Sequence, residues 1–168
     1  MAGEKFLKQV SGTLTEVISV QTGGGGNANK IPALDAAGLL DVSMMPSGIG
    51  ADTASILASE ALSAGNLVNI YDSTGVATVR KADATSPGKE ANGFVLAAVT
   101  SGGMATVYFE GSNTQMTGLT AGQNFLATTP GGSTVTPPSA SGNIVQAVGI
   151  AVSATVLNCE FQRQIILA

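Results

Sequence analysis

The sequence predicts an all-β protein: a small, Gly-rich antiparallel β-sandwich or barrel with an extended N-terminal arm. Three observations predict it. From residue 56 onward, short apolar runs alternate with turn signals, the spacing of strands of about 4–8 residues. The chain holds 22 glycines, where ordinary usage would give roughly 12, and they fall mainly at those turns. Val107 and Phe109 alternate with Thr106, Tyr108 and Glu110, the period of two of a half-buried strand.

The chain divides into three parts: an arm at 1–22, a linker and turn module at 23–55, and a β-domain with an apolar tail at 56–168. In the arm, Val, Ile, Thr and Leu dominate and Gly12 punctuates, which predicts two short extended segments. The β-branched Val17, Ile18 and Val20 disfavour a helix there. A lone hairpin is marginal in water, so the arm needs a partner surface or must lend an edge strand to its own domain. The module opens with Gly23-Gly-Gly-Gly-Asn-Ala-Asn29, a flexible linker by composition. Over 23–50 such a chain spans roughly 25–30 Å. Asp35 to Gly38 reads as a turn between extended pieces, and Pro32 and Pro46 block a continuous helix. Residues 52–63 read either as a helix capped by Asp52 or Thr53, or as a strand entering the domain.

In the β-domain the expected strands are 67–71, 76–82, 94–99, 105–109, 124–127, 133–136, 144–152 and 154–161. The run Phe94-Val-Leu-Ala-Ala-Val99 is apolar at both parities, as expected of a strand covered on two faces.

Composition narrows the function. The chain has 168 residues, 44% of them hydrophobic and only 11% charged, against a usual charged fraction of about 25%. So few charges point to surface hidden in a core or against partners. Net charge is −4, and the only adjacent cations, Arg80 and Lys81, are no basic footprint, so no nucleic-acid partner is expected. No apolar run reaches the roughly 18 residues of a membrane helix, and no signal-peptide run is read at the N-terminus. A soluble, cytoplasmically made protein is expected. With no histidine and one cysteine, Ser–His and Cys–His nucleophile pairs, His-based metal sites and an intrachain disulfide are excluded. Cys159 reads as a small buried hydrophobe. The Gly-rich run lacks the Gly-Lys-Ser/Thr ending of a phosphate loop, because Lys30 lies between Asn29 and Ile31. Asp35 with Asp41, or Glu110 with Glu160, could be imagined as a glycosidase pair. Asp35 and Asp41 are better explained as turn residues bonding their own backbone. The expectation is a non-enzyme with no catalytic residues, no metal and no cofactor.

Two stretches carry a resemblance. Lys30-Ile-Pro-Ala-Leu-Asp-Ala-Ala-Gly-Leu-Leu-Asp-Val-Ser-Met-Met-Pro46 resembles a short module of phage fibre and head-associated proteins. The second stretch runs over roughly 64–161. It includes Ala64-Gly-Asn-Leu-Val-Asn-Ile-Tyr71, Gly93-Phe-Val-Leu-Ala-Ala-Val99 and Gly118-Leu-Thr-Ala-Gly-Gln123. It continues with Thr129-Pro-Gly-Gly-Ser-Thr-Val-Thr-Pro-Pro138 and Ile144-Val-Gln-Ala-Val-Gly-Ile-Ala-Val-Ser-Ala-Thr-Val-Leu157. Together these resemble the β-domain of phage capsid decoration (cement) and head-fibre proteins.

The resemblance implies a virion structural protein on the outer capsid surface, bound to the major capsid protein, as a homo-oligomer, commonly a trimer. The alternative it leaves open is a fibre or tail-tip component that contacts the host surface. On either reading the work is binding. The candidate partner-binding residues are Phe6, Leu7, Val10, Leu14, Val17, Ile18 and Val20 in the arm, and Ile165, Ile166 and Leu167 in the tail. The arm would act by strand addition. The exposed tail would be an aggregation risk unless covered by another chain or packed on its own sheet.

Overall fold

The computed structural model describes residues 5–45 and 50–168. The start of the arm and Pro46, which closes the expected module, lie outside the described residues. The chain forms two compact units, 1–50 and 51–168. It is all-β, as expected, with no α-helix among the described residues.

In the first unit, β1 (Lys5–Val10) and β2 (Thr13–Ile18) pair antiparallel, from Lys5 opposite Ile18 to Val10 opposite Thr13. Only Ser11 and Gly12 join them, with φ of 48° and 85°. Positive φ at both positions is the type I′ turn, whose twist matches that of the strands it joins. The arm is therefore a self-paired hairpin: among the described residues β1 and β2 form a two-stranded sheet of their own, not the edge strand that the sequence also allowed. The Gly-rich run contains one local turn. Gly24–Asn27 closes a 3-10 turn, fixed by the Asn27 amide donating to the Thr22 and Gly23 carbonyls at 2.9 and 3.0 Å. Asp35 makes the expected turn: its Oδ1 accepts from the N–H of Ala37 at 2.8 Å and of Leu39 at 2.9 Å. Asp41 accepts from the hydroxyl and N–H of Ser43, which hold its carboxyl below the usual range.

The second unit begins earlier than residue 56. β3 (Thr53–Ala58) is a strand, not a helix, and the expected boundary falls inside it. Its residues alternate, with Ile56 and Ala58 buried and Ser55 and Leu57 exposed. Pairing along its length with β7 (Met104–Tyr108) outweighs the helix propensity of Ala and Leu. With β4 (Leu67–Ser73), β5 (Val76–Lys81) and β6 (Gly93–Val95), these strands close a barrel in the order β3-β5-β4-β6-β7. One pairing breaks the antiparallel rule: β3 runs parallel to β5, with Leu57 opposite Thr78. A second Ser/Thr-Gly type turn, Thr74-Gly75, joins β4 to β5.

The remaining strands build a five-stranded sheet, β10-β9-β12-β13-β8. They are β8 (Gly111–Asn113), β9 (Gly122–Leu126), β10 (Ser133–Thr134), β12 (Ala147–Ala151) and β13 (Leu157–Cys159). A separate two-residue ladder joins β11 (Ile144–Val145) to β14 (Ile165–Ile166).

Two cores follow. Ile56, Ala58, Val68, Val79, Val95, Ala105 and Val107 fill the barrel. Leu67, Phe94, Leu126, Ile144, Val148, Leu157 and Cys159 pack together outside it. Neighbouring residues of β4 and β6 thus face different cores: Leu67 and Phe94 one, Val68 and Val95 the other. The two-sided reading of 94–99 holds at Phe94 and Val95. The strand then ends, and Ala97 and Ala98 are exposed.

The expected strand 144–152 is broken at Gln146. This side chain is buried, and it bonds both backbone groups of Ala91 (2.8 Å from its N–H, 2.9 Å to its carbonyl) and the Gln162 carbonyl at 3.0 Å. Past it the β12–β9 register shifts between Ala147 and Gly149, a bulge. Gly149 has φ 145°, and a Cβ there would strike the Asn158 carbonyl oxygen. Asp83 is a buried carboxylate. Burial alone would raise its pKa, but donors from Thr85 and Lys89 outweigh this and hold it below the usual value.

Cys159 is buried, as expected, and burial pushes its thiol up to about 12 against a weaker opposing contact from the Asn113 backbone. A thiol that is neutral and covered does not react as a thiolate. Aromatic disulfide reagent at pH 8 should therefore label native protein only slowly and denatured protein with full stoichiometry; rapid native labelling would contradict the packing. Gln146→Leu should cost about 3 kcal/mol, since it strands the buried polar groups of Ala91. Urea unfolding measures this, and an unchanged midpoint would show that those groups find other partners.

Candidate partner-binding surfaces

Alternation sorts the hairpin into two faces. Phe6, Lys8 and Val10 lie opposite Val17, Thr15 and Thr13 on one. Lys5, Leu7 and Gln9 lie opposite Ile18, Glu16 and Leu14 on the other. On the second face Leu7 is 70% exposed, Leu14 66% and Ile18 50%. Leu7 is the diagonal neighbour of both Leu14 and Ile18, within reach of long side chains, so the three make one apolar patch. Lys5 and Glu16 pair at 3.0 Å on the same face; exposed on both sides, the pair adds little to stability. On the first face Phe6 and Val17 are half-buried and Val10 is exposed. Val20 lies past the hairpin, where its backbone brackets Pro32. Six of the seven expected arm residues therefore share one ribbon. The ribbon's outer edges pair with no other strand among the described residues.

The tail pairs with its own domain. The β11–β14 ladder is extended by the Leu167 N–H to the Asn143 carbonyl and the Gly142 N–H to the Leu167 carbonyl, both 2.9 Å. Ile165 and Ile166 nevertheless stay 65% and 58% exposed, while Leu167 is half-buried. The backbone is satisfied and the isoleucines are left to solvent.

Two grooves were not legible as sites in the sequence. The first, about 410 Å³, is walled by three segments: 64–66, 115–120 and 131–135. Its frame is set by two buried asparagines. Asn113 donates to the Gly65 carbonyl at 2.9 Å and accepts from the Gln115 N–H at 3.2 Å, tying the first two walls. Asn124 donates to the Thr120 and Gly122 carbonyls and accepts from the Ser133 hydroxyl at 3.3 Å, tying the last two. The walls are tightly fitted. A Cβ on Gly65 would strike the Gln115 carbonyl, and one on Gly131 would come within 2.6 Å of the Asn66 amide.

The second groove, about 450 Å³, brings together Glu110 and Glu160 with Glu90 and Arg163. Glu160 accepts from the Gln162 amide at 3.0 Å, and one oxygen of Glu90 is buried without a partner among the described residues. Asp35 and Asp41 lie in the first unit and bond their own backbone. No cluster of three or more His, Cys, Asp or Glu among the described residues is arranged to hold a metal ion. No helix among them is long and apolar enough to cross a membrane. Arg80, one of the adjacent cations, is taken up locally: it donates to Asn69 Oδ1 at 3.0 Å and to the Gly88 carbonyl at 2.8 Å, and lies 4.3 Å from the centre of the Tyr71 ring.

Asn113→Ala should loosen the first groove. It strands the Gly65 carbonyl, for a loss of about 2 kcal/mol, and hydrogen exchange should quicken at 64–66 and 115–120 while the barrel strands keep their protection. Uniform loss of protection would show that Asn113 supports the whole domain. Comparison with models of protein families, with curated proteins and with solved structures found no match for the chain.

Proposed function

We propose that this protein is a virion structural protein, a decoration or cement subunit that binds the outer capsid surface and stabilises junctions between capsomers. The observation that supports it most is the hairpin. It is a six-residue-per-strand ribbon whose outer edges pair with no other strand among the described residues, with an exposed patch of Leu7, Leu14 and Ile18. An isolated two-stranded sheet is barely stable in water, and its free edges accept an added strand. The partner is the major capsid protein, and the subunit works as a homo-oligomer, a trimer by resemblance to the decoration family. Binding several neighbours at once adds free energy to each junction by linkage, and a trimer multiplies weak contacts through effective concentration. The protein performs no chemistry on this reading, and its place is the capsid surface after synthesis in the host cytoplasm.

The test is deletion of residues 1–22, with the full chain carrying Leu7→Ser, Leu14→Ser and Ile18→Ser as a milder variant. Burying a leucine or isoleucine contributes about 1.5–3 kcal/mol, so the triple variant should bind purified capsids at least about tenfold more weakly. The deletion should abolish binding while the circular dichroism of the β-domain persists. Undiminished capsid binding by both would remove the hairpin from the mechanism. Abundance in particles gives a second check. A cement subunit is present in amounts comparable with the shell protein, whereas a tail-tip component appears in a handful of copies. Turnover of an oligosaccharide or ester by the purified protein would count against the non-enzymatic reading.

A further inference from the structure

We propose that the groove between 64–66, 115–120 and 131–135 is a binding site for a neutral oligosaccharide. Its lining selects the ligand by chemistry. Among the described residues that line it, none carries a charge. A phosphate, sulfate or carboxylate would find no cation there, and an amine no carboxylate. The polar lining is Asn66, Gln115, Thr117, Thr120, Asn124, Ser133 and Thr134, all amides and hydroxyls. Amides and hydroxyls both donate and accept hydrogen bonds, which is what the hydroxyls of an uncharged sugar do as well. Met116, Leu119 and Val135 add apolar surface for the C–H faces of a ring. The volume, about 410 Å³, falls within the roughly 300–1,000 Å³ of ligand pockets. An extended peptide is the poorer fit. It would need a strand edge to pair with, and the strand here, β10, is only two residues long.

The buried amides that hold the walls, Asn113 behind the lining and Asn124 within it, argue that the groove is built rather than incidental. Asn113 and Asn124 are 0% and 1% exposed. A buried amide is costly unless it is fully bonded, and these two spend their bonds on holding the walls together. A site held by residues that are themselves locked is pre-organised, which reduces the entropy lost on binding. Weak binding of uncharged sugars by hydrogen bonds needs that rigidity.

The experiment is a set of ¹H–¹⁵N spectra of the full chain, titrated with neutral oligosaccharides of glucose, galactose, mannose and N-acetylglucosamine. Sulfated and sialylated counterparts form a second arm. The expected result is a saturable shift of amides in 64–66, 115–120 and 131–135 with at least one neutral probe, and a weaker response to its charged counterpart. Gln115→Ala with Thr117→Ala should weaken that binding about tenfold. Both positions are exposed, so the variant keeps its fold, and the same spectra report it. Four results would overturn the proposal: no response to any neutral probe, shifts mapping elsewhere, a stronger response to the charged arm, or unchanged affinity in the double variant. The titration uses the free protein without capsids, so its failure leaves the hairpin's role untouched, and loss of capsid binding would leave the groove untouched.

Discussion

The structure of the β-domain depends on a shared wall. β4 and β6 are each covered on two faces, with Leu67 and Phe94 turned to one core and Val68 and Val95 to the other. All four side chains are at most 1% exposed. A strand with water on one face can tolerate polar residues at every second position. At these four positions the strands cannot, because each side chain faces one core or the other. The wall also carries the stacking of Phe94 on Tyr108, 5.4 Å between ring centres and 19° apart, which ties β6 to β7. With one layer serving two cores, a domain of this size buries more apolar surface than a single barrel would. That accounts for a chain so poor in charge.

Short strands set the second constraint. β8, β13 and β6 have three residues each and β10, β11 and β14 only two. Ladders of that length leave many backbone groups to be satisfied elsewhere. Buried side-chain amides take over. Gln146 bonds Ala91 and Gln162, Asn69 bonds the Glu90 carbonyl at 2.8 Å, and Asn113 and Asn124 frame the neutral groove. Each amide reaches chain that lies far away in sequence or closes a tight turn. The protein therefore holds its loops by specific polar contacts rather than by long sheets, and its grooves lie where those contacts gather.

This explains what could be read in advance. The two extended segments of the hairpin were legible because what marks them lies within 14 residues: Gly12 as punctuation and a run rich in Val, Ile, Thr and Leu. The same holds for β4, Thr74-Gly75 and β5. Asp35 and Asp41 were legible as turn residues because an Asx turn is local. β3 was ambiguous, because Ala and Leu favour a helix and its pairing partner β7 begins about fifty residues later. The run 144–152 looked continuous, because a glutamine inside an apolar stretch does not announce that its amide will cross to Ala91. The neutral groove was illegible as a site for the same reason. Segments around 65, 118 and 133 all belong to the stretches that carry the resemblance, but no local period reports that they converge. The pairing of Glu110 with Glu160 in one groove is likewise a product of the fold, and the sequence offered no distance between them.

The distribution of strand edges connects the architecture to the proposed role. A closed barrel has no edges, and five strands of the β-domain are closed in this way. The five-stranded sheet ends on β10 and β8, two and three residues long. Short edges of this kind are how proteins avoid pairing with the wrong chain. The hairpin reverses the pattern. Its two strands have six residues each, both outer edges are unpaired among the described residues, and apolar side chains lie on both faces. An open edge is a hazard where no partner is intended and a binding element where one is. On the proposed reading, a chain that blunts its edges in one unit and leaves the longest of them unpaired among the described residues of the other reserves strand addition for the arm. That is the arrangement a subunit needs if it must attach firmly at one place and resist sticking to its neighbours everywhere else.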